Sequence, residues 1–112
     1  MYQHEYFVYI TTNLNRKVLY VGMSNNLPQR ITEHYLNRGN PKTFPGKYYC
    51  YNLIYFETFD YVVDAITREK EIKGWSRKKK EALIATMNPD WIFLNTEIME
   101  WPPKERFVRG EE

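Results

Sequence analysis

The class this sequence predicts is α/β in the α+β sense: a three-stranded antiparallel sheet flanked by helices. Two short β-type runs, Tyr6 to Thr11 and Lys17 to Gly22, flank the polar segment Thr12-Asn13-Leu14-Asn15-Arg16. Strand, turn and strand at that spacing read as a hairpin. A third run, Tyr48 to Glu57, is rich in Tyr, Ile, Leu and Phe and supplies another strand. Three segments at 28–37, 60–73 and 76–87 have helical signals. A chain of 112 residues suits one core, with a domain expected over 1–95 and a tail over 96–112.

In the hairpin, Tyr9 and Tyr20 are eleven residues apart. The register expected sets Tyr9 opposite Tyr20, closing the loop around Leu14-Asn15, with both phenols on one face. A slip by one residue would turn Tyr20 to the other face. Met23-Ser24-Asn25-Asn26-Leu27-Pro28 then marks a turn and a helix start, with Pro28 suited to the first helical position. Ile31 and Tyr35, four apart, face the core; Arg30 and His34, also four apart, share a neighbouring face. The segment through Lys42, Phe44-Pro45-Gly46 and Lys47 reads as a flexible, basic loop.

Strand 48–57 carries apolar residues at both parities, as in a strand covered on both faces. Asp60 is the expected N-cap of the next helix, and Gly74 its expected C′ residue. That helix has an apolar stripe of Val62, Ala65, Ile66 and Ile72, and Glu69 falls on it. A carboxylate there costs free energy unless something pairs with it. Ser76 caps a third helix that opens with Arg77-Lys78-Lys79-Lys80. Four cations at the positive end of a helix dipole are locally unfavourable. A polyanion partner explains them; so does a solvated face. Trp91-Ile92-Phe93-Leu94 reads as a short strand or an apolar strap, and the chain from Trp101 onward as a loose tail.

The net charge of +2 is unevenly spread: residues 1–87 hold 13 Lys/Arg against 8 Asp/Glu, and residues 88–112 hold 3 against 6. A basic body is compatible with nucleic-acid binding. Cys50 is the single cysteine, which excludes an intrachain disulfide or a cysteine-built zinc site and fits a reducing cytoplasm. The start Met1-Tyr2-Gln3-His4-Glu5 has no signal-peptide pattern, and no run approaches the ~18 apolar residues of a membrane span.

The polar outliers are Tyr9, Tyr20, Gly22, Arg30, His34 and Glu69. Singly they are ordinary. Together they supply a candidate base, a cation for phosphate and a hard oxygen ligand for Mg²⁺. Gly-rich phosphate loops, paired aspartates at a strand end and Ser/His/Asp patterns are missing. The order resembles the GIY-YIG nuclease family. Val8-Tyr9-Ile10 stands for its first motif and Tyr20-Val21-Gly22 for its second. Arg30 and His34 follow on the next helix, and Ala65-Ile66-Thr67-Arg68-Glu69 matches the helix ending in the metal-binding glutamate. The likeness covers residue 6 to about 94. Arg68 to Arg77 and Asn88-Pro89-Asp90-Trp91 look like the small single-domain bacterial members, related to the excision-repair nuclease module. Val8 departs from the first motif's Gly, as is common in those members.

The resemblance implies metal-dependent hydrolysis of DNA phosphodiester bonds, with branched or damaged DNA as substrate in repair or recombination. Catalytic roles fall on Tyr9, Tyr20, Arg30, His34 and Glu69, with Glu69 holding one Mg²⁺ or Mn²⁺. Arg30 binds the scissile phosphate, and Tyr9 activates water, assisted by His34 or by metal-bound hydroxide; the sequence leaves open which tyrosine takes the proton. Tyr20 orients water or phosphate, and Gly22 allows close backbone approach. The family's further asparagine corresponds to Asn88, with Asn95 as the alternative. Arg77, Lys78, Lys79 and Lys80 are candidate DNA contacts. No added DNA-binding domain is recognisable, which implies modest affinity or a protein partner for targeting. The competing class is a nucleic-acid-binding module without chemistry.

Overall fold

A computed structural model describes residues 5–104; residues 1–4 and 105–112, including the first residues of the chain and the end of the expected tail, lie outside the described residues. The elements are β1 (Tyr6–Thr12), β2 (Leu19–Ser24), α1 (Leu27–Leu36), α2 (Phe44–Lys47), β3 (Asn52–Phe59), α3 (Val62–Lys73), α4 (Arg77–Met87) and α5 (Asn95–Ile98). The sheet is antiparallel in the order β2-β1-β3. The expected fold class therefore holds.

β1 is central, and both its faces are covered. Val8 and Ile10 join Val21, Ile54, Ala65, Ile72 and Ile84 in one buried cluster beneath α3 and α4. Tyr9 joins Leu27, Ile31 and Leu53 in a second, beneath α1. The alternation of side chains along one strand thus feeds two cores. Because β1 lies in the middle, the residues flanking Tyr9 cannot slip without exposing one core.

The hairpin register differs from the expected one. Tyr9 pairs with Gly22, and Tyr20 with Thr11. The reason is the turn. Asn13 Oδ1 accepts from the backbone N–H groups of Lys17 and Val18, at 2.9 and 3.1 Å, and Arg16 sits at φ 62°. This side-chain closure widens the loop and moves the pairing by two residues. An even shift keeps parity, so Tyr9 and Tyr20 still share a face.

Four local expectations are corrected. The segment expected as a flexible loop contains α2, capped by Thr43, whose Oγ1 accepts from Gly46 N–H at 3.1 Å. Strand β3 starts at Asn52 rather than 48, because Tyr48 caps α2 and Tyr49 turns the chain at φ 58°. Asp60 is not the cap of α3. Two residues are spent turning off the sheet, and Tyr61 takes the cap position without a side-chain bond. Gly74 ends α3 at φ −83°, in the right-handed region, so its glycine freedom is not used there. Ser76 does cap α4, accepting from Lys79 N–H at 3.2 Å.

Residues 91–94 form a strap, not a strand. Leu94 N–H donates to the Leu53 carbonyl at 2.7 Å. Arg16 donates to the Trp91 carbonyl at 3.0 Å and lies over the Phe93 ring. The segment beyond it is packed rather than loose. Trp101 meets Tyr35 edge-on at 5.1 Å and lies 6.2 Å from Tyr51, and Ile98 and Trp101 cover the second core. Among the described residues, no helix is long and apolar enough to cross a membrane.

Candidate active site

β1 and β2 carry the two tyrosines, and α1 brings a histidine and an arginine over them. Tyr9 is fully buried; its ring centroid lies 6.3 Å from that of Tyr20. Asn26 caps α1 by accepting from Gln29 N–H at 3.1 Å, which sets where the helix starts. From that start, the spacing of four turns Arg30 and His34 toward the tyrosines. Tyr9 Oη lies 2.7 Å from His34 Nε2. The imidazole meets Tyr20 edge-on at 5.6 Å. Gly22 stands opposite Tyr9 in the ladder, and no other residue type leaves room for the phenol there.

Electrostatics fix the protons in this pair. Burial pushes the Tyr9 phenol well above the ordinary tyrosine range; Tyr20 and Glu69 push the same way, and Arg30 opposes them. Burial, reinforced by Arg30, pulls His34 down to about 4. At neutral pH both groups are uncharged. The Arg30 guanidinium, donor-only, acts electrostatically on the phenol. One hydrogen bond joins Tyr9 Oη and His34 Nε2, and which of the two donates depends on the imidazole tautomer.

A cleft of about 350 Å³ opens over the pair, lined by Tyr20, Arg30, Glu33, His34, Asn37, Thr43, Phe44 and Pro45. Tyr20, Arg30 and His34 were expected here. Phe44 was not; it stacks on Tyr20 at 5.9 Å and 25°. Glu33 was not expected either, and its Oε1 lies 3.0 Å from Arg30 Nε. The readable signals were the i, i+3 spacing of Arg30 and Glu33 and the Thr-Phe-Pro-Gly run of α2.

Glu69 comes from α3. The buried positions of that helix are Ala65 and Ile72, while Val62 and Ile66 of the expected stripe remain 44% and 38% exposed. Glu69 lies between the buried two, four past Ala65 and three before Ile72. Its side chain is 19% exposed and pairs with Lys73 at 3.2 Å. Lys73 Nζ in turn lies 5.9 Å from the Tyr20 ring centroid. Tyr20, Arg30 and His34 line the cleft, Tyr9 is buried, and Glu69 is not among the lining residues, though its charge acts on the Tyr9 phenol.

A model of the GIY-YIG catalytic domain matches residues 5–82. The chain belongs to the GIY-YIG family. A UPF0213 protein of Natronomonas pharaonis is 33% identical over 81 residues, covering 72% of this chain and 92% of that protein. A UPF0213 protein of Staphylococcus saprophyticus is 37% identical over 67 residues, covering 60% and 79%. The solution NMR structure of a UPF0213 protein of Bacillus halodurans superposes with a TM-score of 0.51 at 27% identity, covering 82% of this chain and 93% of that one.

The other residues that the GIY-YIG likeness singled out lie apart from the cleft. Asn88 donates from Nδ2 to the carbonyls of Ile54 and Ile92, at 3.0 and 2.8 Å, and accepts from Ile92 N–H. Asn95 accepts from Leu53 N–H at 2.8 Å and donates to the Tyr51 carbonyl at 2.9 Å. Both amides are spent on holding the 88–95 segment to β3. Arg77 donates to the Lys17 carbonyl and, at 3.1 Å, to that of Arg16, pinning the hairpin turn. Lys79 lies over the Trp75 ring at 4.4 Å. Lys78 is exposed and Lys80 half-buried.

Among the described residues, no three His, Cys, Asp or Glu side chains come together as a metal cage. His34 has its Nε2 committed to Tyr9. The Glu69 carboxylate is a single hard oxygen donor, the kind of ligand that a divalent cation keeping most of its waters accepts.

Proposed function

We propose that this GIY-YIG domain is a divalent-metal-dependent endonuclease that hydrolyses phosphodiester bonds in DNA. The observation that supports it most is the convergence of Tyr20, Arg30 and His34 on one cleft over Tyr9, with Glu69 in electrostatic reach. Arg30 takes the scissile phosphate, since a guanidinium matches two phosphate oxygens at once. Tyr20, whose ring faces the cleft, orients the attacking water. Tyr9 acts as a positioning residue and not as the base, because it is fully buried and its phenol holds its proton tightly. It holds His34 in place through the 2.7 Å contact of Oη with Nε2. Glu69 holds one Mg²⁺ or Mn²⁺. Such a cation, when bound, neutralises charge on the phosphate and leaving oxygen and makes water more acidic.

Branched, nicked or damaged DNA, met in repair and recombination in the cytoplasm, is the substrate we favour, with a protein partner for targeting. The Glu69–Lys73 pair favours the competing reading of a DNA-binding module, because Lys73 competes for the carboxylate that a metal needs. One comparison decides between them. Purified protein is incubated with branched, nicked and linear DNA, with Mg²⁺ or Mn²⁺ and with neither, alongside Glu69→Gln. Metal-dependent cleavage by the wild type, lost in Glu69→Gln while DNA binding is retained, is the expected result. Binding without cleavage of any form assigns the chain to the binding modules.

A further inference from the structure

Arg30 is the cleft's phosphate-binding candidate, yet it carries a carboxylate of its own. Its guanidinium is held from two sides. Nε lies 3.0 Å from Glu33 Oε1, and Nη1 donates to the Met23 carbonyl at 3.3 Å. Met23 offers backbone of β2, which cannot withdraw. Glu33 can: its side chain is 48% exposed and lines the cleft beside Arg30.

We infer that Glu33 is a resident anion of the cleft, which occupies Arg30 in the free protein and gives way when a DNA phosphate arrives. This rests on the reading of Arg30 as the phosphate-binding group. A side-on guanidinium edge accommodates one oxyanion at a time, so carboxylate and phosphate compete for Nε. The pair is nearly half exposed on both sides, and such pairs are weak. Exchange is therefore easy, but a DNA phosphate meets a neutral ion pair where it would otherwise meet a free cation. Glu33 thereby sets the affinity of the site and its salt dependence, without touching the reacting atoms.

The test measures binding of the full chain to a fluorescein-labelled oligonucleotide across a salt series, without divalent metal so that cleavage does not intervene. Glu33→Gln keeps the shape and removes the charge. It should bind about three- to tenfold more tightly, with a log K against log salt slope steeper by roughly 0.7–0.9. The gain should vanish in the Arg30→Gln background and should not be reproduced by Asp90→Asn, which removes a negative charge from the turn after α4. A Glu33→Gln protein that binds equally or more weakly overturns the inference. So does a gain that survives in the Arg30→Gln background, or one that Asp90→Asn matches. A thermal melt checks that each variant is folded, and Glu33→Asp, too short to reach Nε, gives the same sign if glutamine unsettles α1. Cleavage is scored separately. A chain that binds as described but cuts nothing loses the nuclease reading alone. A chain that cuts while Glu33→Gln leaves binding unchanged loses this inference alone. If no variant binds DNA, both fall.

Discussion

Gly22 lies against the Tyr9 phenol: a Cβ built there would stand 2.5 Å from the hydroxyl oxygen and 2.7 Å from Cζ. It would also meet the Tyr20 ring at 3.0 Å. The need for glycine is one of space and not of backbone angle. Tyr9 cannot yield, since it is fully buried and tied to His34. Gly22→Ala should therefore destabilise the fold by ~1–3 kcal/mol, the usual cost of overpacking. Urea denaturation measures it. A neutral result would mean that the ring has somewhere to go.

The Tyr9–His34 pair predicts a stability profile in mild acid. His34 titrates near 4 in the folded chain and near 6.5 when unfolded. Its folded value is depressed, so the unfolded chain binds the extra proton as pH falls. The stability associated with a neutral His34 is complete above about 6.5 and is lost progressively toward 4. Over that window the loss amounts to at most ~3 kcal/mol. Glu57 contributes only below its ordinary carboxylate range: burial raises it, but hydrogen bonds from Arg68 and Tyr55 outweigh that and hold it low. Melting temperature against pH should fall between 6.5 and 4.5 in the wild type and flatten in His34→Gln. NMR titration of the imidazole gives the same answer independently.

The four cations that open α4 should separate into two kinds. Arg77 holds the hairpin turn and pairs with Glu81 at 3.0 Å, so Arg77→Ala should lower the melting temperature. Lys78 and Lys80 changed together to Ala should leave the melt unchanged. If they bind DNA, the salt slope should drop by about one for each phosphate that the two lysines neutralise. An unchanged slope removes them from the interface.

Asn88 and Asn95 should behave as structural residues. Truncating either to Ala strands buried backbone groups of β3 and the strap, at a cost of ~1–3 kcal/mol. Chemical denaturation should show the loss in both variants, with kcat for DNA cleavage unchanged at temperatures where the variants are folded. A large fall in kcat in a folded Asn88→Ala protein would return that residue to the chemistry.

Much of this molecule is written locally in its sequence. The strand–turn–strand pattern, the Asn26-Leu27-Pro28 start of α1 and the Ser76 cap of α4 depend on neighbours a few residues away. So does the common face of Arg30 and His34, which follows from helical spacing alone. The parity of Tyr9 and Tyr20 survived a wrong register because strands repeat every two residues. Tertiary structure decided the rest. The register was set by Asn13, whose side chain chose backbone partners that no periodicity encodes. That Arg77 holds the hairpin turn depended on where residues sixty positions earlier came to lie. Asn88, singled out from the sequence for the site, clamps the strap to β3 because the carbonyl of Ile54 came within its reach. Above all, the sequence offered Tyr9 as a base. Burial under α1 strengthens that phenol's hold on its proton, because desolvation depends on what packs around a phenol and not on which residues precede it.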